Sequence, residues 1–243
     1  SSGRCILGSS QIGFSMLNVT NLSVSYGKAK IVEGFTFEVG QGEIVTLIGL
    51  NGSGKSSILR AISGIIKSSQ GQIFFDGEEI TNHPSHSIYK KGLVQVPETR
   101  MIFSSLTVEE NLLLGTNLNR RLSQFRIDDV LDLFPMLVRK LREPAAILSG
   151  GQLQMLALAR GFVSNPKLIM LDEPSLGLSP DAIKNMFNII QKIRDRGLAI
   201  LLIEQNLRQA IQVADRAYMI ENGELIDWGV PNTLLSEQRL LQK

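Results

Sequence analysis

Apolar residues in this chain follow two rhythms. Ile44-Val45-Thr46-Leu47-Ile48, Leu168–Leu171 and Leu198–Ile203 are short, nearly continuous runs of strand length, as expected of strands buried on both faces of a parallel sheet. Between them the spacing becomes helical, with Ile58, Leu59, Ile62 and Ile65 after the first run and Ile183, Met186, Phe187, Ile190 and Ile193 between the other two. Ser179-Pro180-Asp181 starts the latter helix, which ends before Gly197. This alternation of strand and helix predicts an α/β fold with a parallel sheet covered on both sides. Leu17–Tyr26 and Ile31–Val39 read as strands of a β-rich N-terminal layer, with Gly40-Gln41-Gly42 turning into the first buried strand. Asp76-Gly77, between Gln72–Phe75 and Glu78–Ile80, is a hairpin signal, and Asn222-Gly223 suggests a second hairpin. From Thr107 to Arg142 the pattern is helical, with Val108, Leu112, Leu113, Val130, Leu131, Leu133, Phe134 and Leu137 supplying apolar faces. This predicts an inserted helical subdomain over roughly residues 100–160, and the last dozen residues read as a surface helix.

Composition narrows the class. The chain has 243 residues, 43% hydrophobic and 20% charged, enough for a sizeable core, and its 25 basic and 23 acidic residues leave a formal net charge of +2. Charge alone therefore gives no support for nucleic-acid binding. Cys5 is the single cysteine, so no intrachain disulfide forms and a reducing compartment is expected. No apolar run approaches the roughly 20 residues of a spanning helix, so any membrane association is expected through a partner. Residues 1–15 are rich in Ser and Gly, carry no periodicity and read as an unstructured leader before a single domain over 16–243.

Candidate chemistry begins at Gly49-Leu50-Asn51-Gly52-Ser53-Gly54-Lys55-Ser56, which follows a strand, opens a helix and matches the phosphate-binding loop G-x-x-x-x-G-K-[ST]. Such a loop points successive backbone N–H groups at phosphate oxygens, and the helix adds its positive end. Gly49, Asn51, Gly52, Ser53, Gly54, Lys55, Ser56 and Ser57 are therefore candidates for holding ATP or GTP, with Lys55 reaching the terminal phosphates and Ser56 offering a hydroxyl to Mg²⁺. Mg²⁺ needs further oxygen ligands, commonly an Asp at a strand end, and Asp172 after Leu168–Leu171 fits. Glu173 beside it can polarise an attacking water.

Leu148-Ser149-Gly150-Gly151-Gln152 lies about twenty residues before Leu168-Ile169-Met170-Leu171-Asp172-Glu173-Pro174. With this pair of motifs the chain, from residue 17 to about 240, resembles the ATP-binding-cassette (ABC) ATPases. The resemblance implies a P-loop NTPase (RecA-like) core of the ABC type, ATP and Mg²⁺ as cofactors, and ATP hydrolysis. It also implies two cassettes pairing head to tail, so that Ser149, Gly150, Gly151 and Gln152 of one face the phosphate held by Lys55 of the other. Tyr26, in Val24-Ser25-Tyr26-Gly27, matches the aromatic that stacks on adenine.

Three positions depart from the common family pattern. Counting back from Leu106-Thr107-Val108-Glu109-Glu110-Asn111 puts Glu98, not Gln95, in the slot that touches Mg²⁺ and the transmembrane subunits. Gln205 occupies the usual histidine slot, and an amide bonds a phosphate or a water but takes no proton near neutral pH, leaving Glu173 as the candidate base. Ser179 replaces an aspartate and can instead cap its helix.

Val96-Pro97-Glu98-Thr99-Arg100, Ser175-Leu176-Gly177-Leu178 and Glu204-Gln205-Asn206 are similar to elements of branched-chain amino acid importer cassettes, although Thr99 stands where glycine is usual. The resemblance then implies an importer subunit peripheral to the cytoplasmic face of the membrane. Its implied partners are an identical or paralogous cassette, integral membrane permeases and, indirectly, a solute-binding protein, with branched-chain amino acids as the favoured cargo and related small polar solutes such as urea or amides as alternatives. The rival reading is a non-transport ABC ATPase gating nucleic-acid or ribosome binding, and it lacks the paired cassettes or coiled-coil insertion usual there. His83 and His86 lie in a polar stretch read as surface loop.

Overall fold

The computed structural model describes residues 15–116, 127–205 and 207–236. The predicted leader and Cys5 lie outside them, except Ser15, which pairs with Gly40 as the first residue of a strand rather than belonging to a leader. That strand, β1 (Ser15–Tyr26), buries Leu17 and Val19 and then Leu22 and Val24. A bulge around Asn21, whose φ is +51°, shifts the alternation by one residue and keeps all four on the core face. β1 pairs antiparallel with β2 (Ala29–Gly40) and with β4 (Gln70–Phe75), which turns through Asp76-Gly77 into β5 (Glu78–Glu79). Asp76 and Gly77 both have positive φ, as does the pair Asn222-Gly223, so both sequence signals mark tight hairpins.

The second sheet has six strands in the order β10-β9-β3-β8-β7-β6. β3 (Ile44–Ile48), β6 (Leu93–Val96), β7 (Leu168–Asp172), β8 (Ala199–Glu204) and β9 (Arg216–Glu221) run parallel, and β10 (Glu224–Gly229) closes the edge antiparallel to β9. Alternate side chains divide the core. Val45, Leu47, Met170, Leu201 and Ile203 face the antiparallel sheet and α1 (Lys55–Ile62); Ile44, Ile169, Leu171, Ile200 and Leu202 face the helices of the other side.

The remaining helices are α2 (Ser85–Lys90), α3 (Val108–Gly115), α4 (Ile127–Leu133), α5 (Pro135–Val138), α6 (Gly150–Val163), α7 (Pro180–Asp195), α8 (Leu207–Val213) and α9 (Pro231–Ser236), with a short 3-10 turn at Ala145–Ile147. Those from α3 to α6 make up the described part of the helical segment, and α6 extends to Val163, where Phe162 joins the sheet-facing core. Thr107 caps α3 through a reciprocal box with Glu110, and Ser179 caps α7 ahead of Pro180. The terminal helix predicted over the last dozen residues is described as far as Ser236.

Several sequence expectations need correction. α1 stops at Ile62, and Ile65 is exposed beyond the turn rather than on the helix face. On α3, Val108 and Leu112 are buried but Leu113 points outward, because Asn111 and Gly115 complete the inner face. Phe134 precedes Pro135, which breaks the run into α4 and α5. His86 lies on α2, not in a loop, although both histidines are exposed as expected.

Phe134 is fully buried where α4 and α5 meet the core under α6. Phe134→Ala should cost about 3–5 kcal/mol, read as a fall in the urea midpoint, whereas a loss below about 1 kcal/mol would contradict this packing.

Candidate functional site

The register of the parallel sheet brings the functional loops together. Ile48 pairs with Glu204 and Ile203 with Asp172, so β3, β7 and β8 end side by side and their following loops share one edge. The loop from Gly49 curls at Gly52 and Gly54, with φ of +79° and +106°, and enters α1 at Lys55. Gly49 admits no side chain: a Cβ there would lie 2.3 Å from the Ile220 carbonyl oxygen of β9. The loop is thus fixed against a neighbouring strand as well as by its own turn.

Lys55 is buried, and its ammonium donates to the carbonyls of Gly49 at 2.7 Å and Leu50 at 2.9 Å. Burial holds its pKa below the ordinary lysine value, opposed by the carboxylates of Glu173 and Asp172. The Ser56 hydroxyl donates to Asp172 Oδ1 at 3.0 Å, so these two hard oxygen donors already touch. Burial raises the Asp172 carboxyl above its usual range, with Glu173 and Glu98 adding to the rise and the Ser56 bond opposing it. A carboxylate so placed, beside a hydroxyl and a cleft that leads to Glu98, suits a hard divalent cation that needs few protein ligands. Among the described residues no cluster of three or more His, Cys, Asp or Glu side chains forms a metal cage.

Glu173 has φ of +48°, and its carboxylate accepts a hydrogen bond from the Gln205 amide. Tyr26, Asn51, Gly52, Gly54, Lys55, Ser56, Ser57, Glu98, Glu173 and Gln205 line one open cleft of about 580 Å³. Tyr26 is 45% exposed at its rim, where a flat ring can stack on a base. Ser53 is different: its hydroxyl is buried, without a hydrogen-bond partner among the described residues, and does not line the cleft. Gln95 lies within β6 and accepts from Ser63, away from the cleft.

Ser149, Gly150, Gly151 and Gln152 do not line this cleft. Ser149 and Gln152 form a reciprocal capping box at the start of α6, which uses the Gln152 N–H and the Gln152 side chain locally. Ser149 and Gly150 are exposed.

Sequence reasoning missed three contributors. Arg160 of α6 donates to the carbonyls of Met101 at 2.7 Å and Arg100 at 3.0 Å, two consecutive residues with positive φ just after Glu98. Buried Gln154 accepts from Arg100 Nε at 2.7 Å, so α6 grips the Glu98 loop from below. A groove of about 340 Å³ opens there, with Met101, Phe103 and Leu114 exposed on its wall. The third is Glu204, buried at the end of β8.

The family model described as "ABC transporter" matches residues 32–176. This chain belongs to the ABC transporter family. A high-affinity branched-chain amino acid transport ATP-binding protein of Pseudomonas aeruginosa is 43% identical to the cassette over 93% of this chain and 97% of that protein. A probable branched-chain amino acid transport ATP-binding protein of Archaeoglobus fulgidus is 38% identical, over 92% and 96%. Lipopolysaccharide export ATP-binding proteins are more distant; that of Haemophilus influenzae is 32% identical over 93% and 95%. Among solved structures, an ATP-binding cassette of an ABC transporter in its ADP conformation superposes with a TM-score of 0.84 at 28% identity, covering 94% of this chain and 98% of its own. The cassette is thus an ATPase of the P-loop ABC type, and no described helix is long and apolar enough to cross a membrane.

Because the Asp172 pKa is raised in the fold, folding favours its protonated form. The corresponding stability is present at low pH and is lost as pH rises through the raised pKa. In nucleotide- and metal-free protein, Asp172→Asn, whose oxygen still accepts from Ser56, should therefore raise the melting temperature at pH 8. Each kcal/mol of relieved desolvation corresponds to about 2–4 °C, and the gain should shrink toward pH 4. A melting temperature lowered at pH 8 would contradict the burial argument.

Proposed function

We propose that the cassette powers uptake of branched-chain amino acids, or of related small polar solutes, by hydrolysing ATP at the cleft around Lys55. The observation that carries the catalytic part is the meeting of Lys55, Ser56, Asp172, Glu173 and Gln205 at one sheet edge. The cargo rests on likeness to the two amino acid transport proteins.

In this reading the N–H groups of residues 49–56 and the helix end hold the phosphates, and Lys55 turns from the Gly49 and Leu50 carbonyls to the terminal phosphate oxygens. Ser56 and Asp172, with Glu98 from the cleft wall, would hold Mg²⁺, which when bound would supply positive charge against the phosphates. Glu173 takes the proton of the attacking water. Gln205 is no proton acceptor; it orients the Glu173 carboxylate through the hydrogen bond its amide already donates.

Ser149, Gly150 and Gly151, standing away from the cleft of their own chain, serve the cleft of a second cassette in a head-to-tail dimer, with Gln152 holding the turn. The exposed apolar groove beside Arg160 receives a membrane permease, and the Glu98 loop carries nucleotide state to it. The cassette then lies on the cytoplasmic face of the membrane, and a solute-binding protein acts at one remove.

Lys55→Ala should weaken ATP binding by at least about ten-fold, while Glu173→Gln should leave binding within about two-fold and slow turnover by about a hundred-fold or more. Nucleotide titration and phosphate release measure the two effects. Unchanged turnover in Glu173→Gln would contradict its role.

A further inference from the structure

Three parallel ties join the turn after β7 to the end of β8. The Glu173 N–H donates to the Ile203 carbonyl at 2.9 Å, and the Gln205 amide donates to the Glu173 carboxylate. Between them, both oxygens of Glu204 accept from one residue: Oε1 from the Ser175 N–H at 2.9 Å and Oε2 from the Ser175 hydroxyl at 2.7 Å.

This middle tie differs from the Gln205–Glu173 tie in being buried. Glu204 is 1% exposed and Ser175 8%, whereas Gln205 is exposed. The other five residues of β8 are apolar and equally buried, so packing alone would be served by another aliphatic side chain. A buried carboxylate is costly unless its oxygens are hydrogen-bonded, and Ser175 supplies a donor to each. The segment it grips is under strain: Glu173, two residues before Ser175, holds a left-handed backbone that an L side chain keeps only when its surroundings enforce it.

We propose that Glu204 is a positioning residue for ATP hydrolysis. Its two-point grip on Ser175 fixes the 173–175 turn, keeps Glu173 in its left-handed conformation and so aims the Glu173 carboxylate into the cleft. Glu204 does not line the cleft; it acts through Glu173, and the proposal rests on the reading of Glu173 as the base.

Single-turnover hydrolysis and nucleotide titration on the full chain test this, using Glu204→Ala, Glu204→Gln and Ser175→Ala alone and the two Glu204 variants combined with Glu173→Gln. Glu204→Ala should slow hydrolysis about ten-fold or more with ATP affinity within about two-fold, because a displaced catalytic group costs rate rather than binding. Ser175→Ala should move in the same direction, and Ser175→Thr, which keeps the hydroxyl, should recover most of the rate. In the Glu173→Gln background, loss of Glu204 should change the residual rate by less than about two-fold, since the group it positions is already gone. An equal loss in both backgrounds, or a loss of ATP affinity that matches the loss of rate, would overturn the proposal in favour of a general structural role. If Glu204→Ala does not fold, Glu204→Gln carries the comparison: slowed hydrolysis at an unchanged melting temperature supports the grip, and an unchanged rate overturns it. Full hydrolysis by Glu173→Gln alone would overturn the base reading itself, an outcome distinct from additive losses.

Discussion

The site depends on the in-register parallel pairing of β3, β7 and β8. Ile48 opposite Glu204 and Asp172 opposite Ile203 align three strand ends, and everything chemical follows within a few residues of that line. A slip of one residue would exchange the two faces of a strand, sending Asp172 and Glu204 to the wrong sides and aliphatic side chains toward the cleft. The pairing is well specified because both faces are committed: one packs on α1 and the antiparallel sheet, the other on α6 and α7. Core packing and catalytic geometry are thus set by the same alignment.

At that edge opposing costs are balanced. Lys55 and Asp172 are both buried, and burial moves the first down and the second up. The Lys55 ammonium rests on two backbone carbonyls and Asp172 on the Ser56 hydroxyl, arrangements suited to being exchanged for phosphate oxygens and a cation. Stability surrendered in this way is common at active sites.

Much of this was legible in the sequence because local chemistry dictates it. The phosphate loop, the Asp172-Glu173 strand end, the Asp76-Gly77 and Asn222-Gly223 hairpins and the Ser179-Pro180 helix start each depend on residues a few positions apart. Counting along the family resemblance put Glu98 rather than Gln95 in the slot expected to touch Mg²⁺, and of the two only Glu98 lines the cleft. What the sequence hid depends on residues far apart along the chain. Nothing near Arg160 announces the carbonyls of Arg100 and Met101, and nothing near Glu204 announces Ser175, 29 positions earlier. Leu113 misled because an eight-residue helix offers too few turns for periodicity to settle its inner face, which Asn111 and Gly115 complete instead. Ile65 misled because helical spacing continues past the turn that ends α1.

In the proposed head-to-tail dimer, the loop around Lys55 and the turn at Ser149, separate within one chain, close on the same triphosphate from two chains. A crystal structure of Glu173→Gln with ATP and Mg²⁺ tests it most directly. The expected result is a two-fold dimer in which the γ-phosphate touches Lys55 of one copy and Ser149 and Gly151 of the other. ATP held by a lone chain, or a dimer in which Ser149 faces solvent, would contradict it.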